Sequence, residues 1–125
     1  MRLDKEAAKF FGKPHKRKGR TLEGLDCYGL LAHALASAGL ISSPEETHFK
    51  AIRRHFNPVG TDSIVAGDVV LMQPEEGLSG RDWVHVVIAS EGGKFWGSEE
   101  RFGVVQTRRG SRKILSAYRL KEISQ

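Results

Sequence analysis

The chain has one cysteine, Cys27, and it stands where a thiol can be made reactive. After it come Leu30, Leu31, Ala34, Leu35 and Ala38 at helical spacing, with Gly39 as a stop, which predicts a helix that opens at the cysteine with Asp26 as its N-cap. A helix N-terminus carries roughly half a positive charge and unpaired N–H groups, and both favour thiolate over thiol. Downstream, Val84-His85-Val86-Val87-Ile88 predicts a strand that carries a histidine. Thiolate plus imidazole is the pairing of a cysteine hydrolase: sulfur attacks a carbonyl, and the ring holds and then delivers the proton. The backbone N–H of Cys27 is the natural oxyanion donor, because the first amides of a helix lack intrahelical partners. Without a base, a lone cysteine is a small buried hydrophobe, so the chemistry depends on whether His85 meets it.

The elements that must bring them together follow from periodicity and punctuation. Leu3 to Phe11 reads as a short helix with Asp4 as cap and Gly12 as stop. Gly12 to Arg20 is a loop with five basic residues, Lys13, Lys16, Arg17, Lys18 and Arg20, read as solvated or as a polyanion contact. Ser43, Pro44 and Glu46 predict a further helix to about Phe56, buried through Phe49, Ile52 and Phe56 and ended by Asn57-Pro58. His48 and His55 on it read as surface or edge residues and not as metal ligands. The second half predicts strands at Val69–Met72, Trp83–Ser90, Lys94–Trp96, Gly103–Thr107 and Ile114–Arg119, with a loop over Gln73–Asp82 and a turn at Gly92-Gly93. Helices first and strands after predicts an α+β fold, with N-terminal helices packed on an antiparallel meander of four to five strands.

A length of 125 residues fits one domain, 1–125, and 39% hydrophobic residues favours a folded globule. No apolar run approaches the ~20 residues of a membrane span, and Met1-Arg2-Leu3-Asp4-Lys5-Glu6 lacks the apolar core of a signal peptide. The expectation is a chain made in the cytoplasm without a leader. A single cysteine excludes an internal disulfide and a cysteine-rich zinc site, and no metal or organic cofactor is expected. The formal net charge of +5 favours anionic partners, but no interleaved aromatics or reading motif point to a specific nucleic acid.

Gly24-Leu25-Asp26-Cys27-Tyr28-Gly29-Leu30, then Ala66-Gly67-Asp68-Val69-Val70-Leu71, then His85-Val86-Val87-Ile88 resemble in order and spacing the NlpC-type cell-wall cysteine peptidases, which are compact papain-like enzymes. The likeness runs from Gly12 to Arg119. It implies that Cys27 and His85 are catalytic, that peptidoglycan stem peptides are the substrate, and that the bond cut joins γ-D-glutamate to the diamino acid. It implies substrate-binding roles for Asp26, on the free amine of the peptide, and for Tyr28 and His15, the last standing where the family has a cleft tyrosine. The family's third catalytic group, usually a histidine, falls at Gly97, so Ser98 is expected to take over, with Glu99 as the alternative and Glu100 also within reach of a shifted hairpin. The close Arg112-Lys113-Ile114-Leu115-Ser116-Ala117-Tyr118-Arg119 is similar to the bacteriophage tail-associated branch, which implies phage tail proteins as partners and delivery to the wall by a virion. Two other readings share the same residues. One is an inactive relative that serves as a wall-binding or tail-assembly module, and the other is a thiol amidase or acyltransferase.

Overall fold

The computed structural model describes residues 2–45, 52–73, 84–110 and 112–121. Helix α1 (Leu3–Ala8) opens the chain and buries Leu3 and Ala7. Its N-cap is Arg2 and not Asp4; Asp4 is buried and takes Arg2 as an ion-pair partner at 2.6 Å. The loop that follows contains a small hairpin, β1 (Arg20–Thr21) and β2 (Gly24–Leu25). It leads directly into helix α2 (Cys27–Ser37).

Helix α2 starts where the sequence places it, because the Asp26 carboxylate accepts the Gly29 N–H at 2.6 Å and satisfies one orphan amide of the first turn. Its buried residues extend beyond one stripe: Ala32 and His33 are enclosed along with Leu30, Leu31, Ala34 and Leu35. The helix is a central element, with α1 against it and the sheet beneath. Each fully buried Leu contributes about 1.5–3 kcal/mol relative to exposure. Close backbone packing fixes the start of the helix. A Cβ on Gly29 would collide with the carbonyl oxygen of Gly19, and one on Gly19 with that of Gly24.

The remaining strands are β3 (Phe56–Val59), β4 (Val69–Met72), β5 (His85–Ala89), β6 (Lys94–Glu99), β7 (Gly103–Arg108) and β8 (Ile114–Leu120). They form one antiparallel sheet in the order β3-β8-β4-β5-β6-β7. The α+β class is as expected, but the sheet has six strands and not four or five. Strands β4 to β7 are the expected meander; β8 returns to pair with β4, and β3 lies outside it.

The additional strand comes from residues read as the end of a helix. Phe56 pairs with Leu120 and Pro58 with Tyr118, and the edge position tolerates a proline that has no N–H to give. Of that expected helix, Pro44 and Glu45 form a turn and 52–53 are helical, while 46–51, with Glu46, His48 and Phe49, lie outside the described residues. The expected loop at Gln73–Asp82 lies outside them from residue 74 onward, as does Trp83; the strand expected over Trp83–Ser90 is shorter, with Val84 and Ser90 outside β5. One face of the sheet packs Val69, Val86, Ile88 and Val104 against the helices, and the other gathers Val70, Met72, Val87, Ala89, Phe95 and Ala117.

Candidate active site

The site is assembled where the first residue of α2 meets the first residue of β5. Cys27 is 8% exposed and His85 is 6% exposed. His85 Nε2 lies 2.5 Å from Oε2 of Glu99, and the ring also hydrogen-bonds Cys27. With Nε2 engaged by the carboxylate, Nδ1 is the ring nitrogen left for the sulfur. Burial alone would push the His85 pKa down. The hydrogen bonds and charges of Cys27 and Glu99 outweigh it and raise the imidazole from its ordinary 6.5 to about 9. Burial pushes Glu99 up, but the hydrogen bond and charge of His85, with Arg112 and His15 behind them, hold its carboxyl below the usual range.

Sheet register decides which residue of β6 reaches the imidazole. Ile88 pairs with Trp96 and Ala89 with Phe95; continuing that register sets Val86 against Ser98 and His85 against Glu99. Ser98, the expected third group, therefore points to the other face of the strand. Its hydroxyl donates to the Leu25 carbonyl at 2.5 Å and lies 3.0 Å from Nδ1 of His15. Glu99, the alternative, is the residue brought to His85, and Glu100 is exposed. Gly97 makes this possible. A Cβ there would stand 3.1 Å from Oε2 of Glu99 and 3.3 Å from Nε2 of His85, in the space the carboxylate needs.

The other candidate residues surround this pair. His15 forms an isolated bridge with Leu25, and because the Ser98 proton is committed to Leu25, Nδ1 of His15 is the donor to Ser98 Oγ. Asp26 caps the helix, and the same Oδ1 accepts from Arg20 at 2.5 Å, so the carboxylate expected to bind an amine already holds a cation. That guanidinium also lies over the Tyr28 ring, 5.0 Å from its centroid. Burial raises the Tyr28 pKa well above its ordinary value; the Arg20 guanidinium opposes the shift, and the charges of Asp26 and Cys27 add to it. Arg20 was grouped with the basic loop, and the structure instead ties it to the helix start.

Sequence reasoning missed Arg112 as well. Its guanidinium reaches Oε1 of Glu99 at 3.4 Å from the connection between β7 and β8. No local signal marks it, since 13 residues and a whole hairpin separate the two. Among the described residues, no group of three histidine, cysteine or acidic side chains could hold a metal ion, and no helix is long and apolar enough to cross a membrane.

A sequence profile of the NlpC/P60 family matches residues 12–122. The chain belongs to the NlpC/P60 family. The solved structures it is similar to share its fold. A lipoprotein-like NLP/P60 protein of Staphylococcus aureus superposes with a TM-score of 0.69 at 24% identity, over 97% of this chain and 41% of that one. This NlpC/P60 chain thus spans less than half of the staphylococcal protein. The NlpC/p60 domain of the peptidoglycan hydrolase SagA gives a TM-score of 0.64 at 20% identity, with 96% of each chain covered. The P60 domain of an antigen from M. avium subspecies paratuberculosis gives 0.64 at 17% identity, over 97% of this chain and 93% of that one. No curated protein sequence matches the chain at a significant level.

Chemically, the arrangement unites a nucleophilic atom, a ring that can carry its proton, and a carboxylate that fixes the ring. A histidine lifted to about 9 is protonated at neutral pH and is equipped to stabilise a neighbouring thiolate.

Proposed function

We propose that this NlpC/P60 chain is a cysteine peptidase that hydrolyses peptidoglycan stem peptides at the bond between γ-D-glutamate and the diamino acid. The observation that carries the reading is the placement of His85 between Cys27 and Glu99, with Nε2 2.5 Å from the carboxylate. In this scheme the Cys27 thiolate attacks the carbonyl carbon, and the oxyanion is met by the Cys27 N–H at the start of α2. His85 gives its proton to the leaving amine as the C–N bond breaks, which leaves a thioester on Cys27. Water then attacks the thioester while His85 takes its proton, releasing the carboxylic acid and restoring the pair. Glu99 keeps the ring oriented throughout. His15 and Tyr28 take the substrate-contact roles that the family resemblance gives them, and a substrate amine at Asp26 shares that carboxylate with Arg20. The peptide substrate rests on the family and on the likeness to the NlpC/p60 domain of the peptidoglycan hydrolase SagA. Tail-associated delivery by a bacteriophage is the setting this reading favours, on the likeness of the stretch from Arg112 to Arg119.

The test is incubation of the protein with a stem peptide containing γ-D-glutamyl-diaminopimelate, with products read by mass spectrometry. Cleavage at that bond, lost in Cys27→Ala, is expected. An uncut peptide, or equal cleavage by wild type and Cys27→Ala, overturns the assignment.

A further inference from the structure

Glu99 is held from both ends. One carboxylate oxygen faces His85 and the other faces Arg112, whose side chain is only 8% exposed. Arg112 is itself anchored on every nitrogen: Nη2 donates to Thr107 Oγ1 at 3.2 Å and to the Arg108 carbonyl at 3.1 Å, Nε donates to the Arg109 carbonyl at 3.2 Å, and Nη1 faces Glu99 at 3.4 Å. A guanidinium spread over a strand end and a turn in this way cannot swing freely, so its position is set by the β7–β8 connection and passed on to the carboxylate. A lone glutamate on a strand retains its terminal torsions; one gripped by a fixed fork on one oxygen and an imidazole on the other does not.

From this geometry we propose that Arg112 is a positioning residue of the active site, acting through Glu99 to fix the His85 ring. The inference rests on the peptidase reading for its link to turnover, but not for its link to the thiol. Among the described residues, the charged and titratable groups that act on Glu99 are His85 from β5, Arg112 from the β7–β8 connection and His15 from the N-terminal loop, with Cys27 on the far side of the imidazole. Arg112 is the group among them whose position the end of β7 and the turn after it fix. Removing it frees the carboxylate to rotate and lets its pKa climb, and both changes weaken the hold on protonated His85 that stabilises a thiolate.

Two readouts test this on the full chain: the pH dependence of Cys27 alkylation by iodoacetamide, which needs no substrate, and kcat and KM on the stem peptide. Arg112→Gln is expected to slow alkylation on the acidic side of neutrality several-fold and to lower kcat by about tenfold, with KM within about twofold. Arg112→Lys, which keeps the charge but not the fork, is expected to recover part of both. Because Arg112 acts through Glu99, Glu99→Gln and the double variant Glu99→Gln/Arg112→Gln are expected to give the same alkylation profile. A wild-type profile and wild-type kcat in Arg112→Gln, or additive effects in the double variant, overturn the proposal. If Arg112→Gln does not fold, an Arg112→Lys profile identical to wild type does the same. A wild type that cuts no peptide defeats the peptidase reading, and the alkylation profiles still decide the role of Arg112.

Discussion

His85 and Glu99 sit opposite each other on β5 and β6, with Nε2 and Oε2 2.5 Å apart, and Gly97 on the same face of β6 provides the room for that contact. In the proposed peptidase the orienting group is thus a glutamate two residues beyond the position where the family resemblance implies a histidine. Glu99→Gln is expected to keep the fold and to lower kcat by roughly 10²-fold to 10⁴-fold, the range that general acid–base contributions span. Ser98→Ala is expected to leave kcat within about tenfold, because that hydroxyl serves the Leu25 carbonyl and His15. Steady-state kinetics on the stem peptide check both; a larger loss in Ser98→Ala would return the third role to Ser98.

Gly97→His puts a histidine at the position where the family resemblance implies one, yet activity is expected to fall and not to rise. Even a Cβ would press within 3.0 Å of Val87 Cγ1, 3.1 Å of Oε2 of Glu99 and 3.3 Å of Nε2 of His85. A full ring must expel Glu99. Gly97→Ala is expected to cost less, since those neighbours need give only a few tenths of an ångström. The ranking wild type, Gly97→Ala, Gly97→His in kcat/KM is the measurement.

The pH profile follows from the direction of each shift. His85 has a folded value near 9, above its ordinary 6.5, so its charged form is favoured by the fold. The stability it adds is complete below 6.5 and disappears as pH rises through about 9. Activity is expected to decline on that same alkaline limb as the imidazolium is lost. In Glu99→Gln the carboxylate charge that helps to raise His85 is gone, so the limb moves to lower pH. Glu99 is shifted the other way: its contribution is present above its ordinary 4.5 and is lost only as pH falls through the lowered value. Thermal melts and kcat against pH for the two proteins check the signs.

Away from the site, Asp68 is 1% exposed and takes Arg119 Nε at 2.9 Å, Arg119 Nη2 at 3.0 Å and the Val65 N–H at 2.9 Å. Arg119→Ala leaves that buried carboxylate without its cation and is expected to lower the urea midpoint, by less than a wholly buried pair would because the guanidinium is 44% exposed. The thiol should remain as reactive to iodoacetamide as in wild type while the protein is folded, because this pair joins the turn before β4 to β8 and does not involve Cys27.

Local chemistry in the chain was enough to place the start of α2, the cap at Asp26, the strand that carries His85 and the α+β order of elements, since each is written in neighbouring residues: a cap, an apolar period, a glycine stop. The edge strand at Phe56–Val59 was not legible, because Phe56 fits the spacing of a helix face and only pairing with β8 makes it a strand. The choice between Ser98 and Glu99 was equally closed to local reading. Adjacent strand residues face opposite sides, so a single step of register exchanges them, and the register is set by the turn at Gly92-Gly93 together with burial on both faces of the sheet. Arg112 at Glu99 and Arg20 at Asp26 belong to the same class. Charges distant along the chain meet only after strands and hairpins have been laid side by side. The sequence alone therefore determined which residues could do chemistry here, and the tertiary structure decided which carboxylate faces the imidazole and what holds it in place.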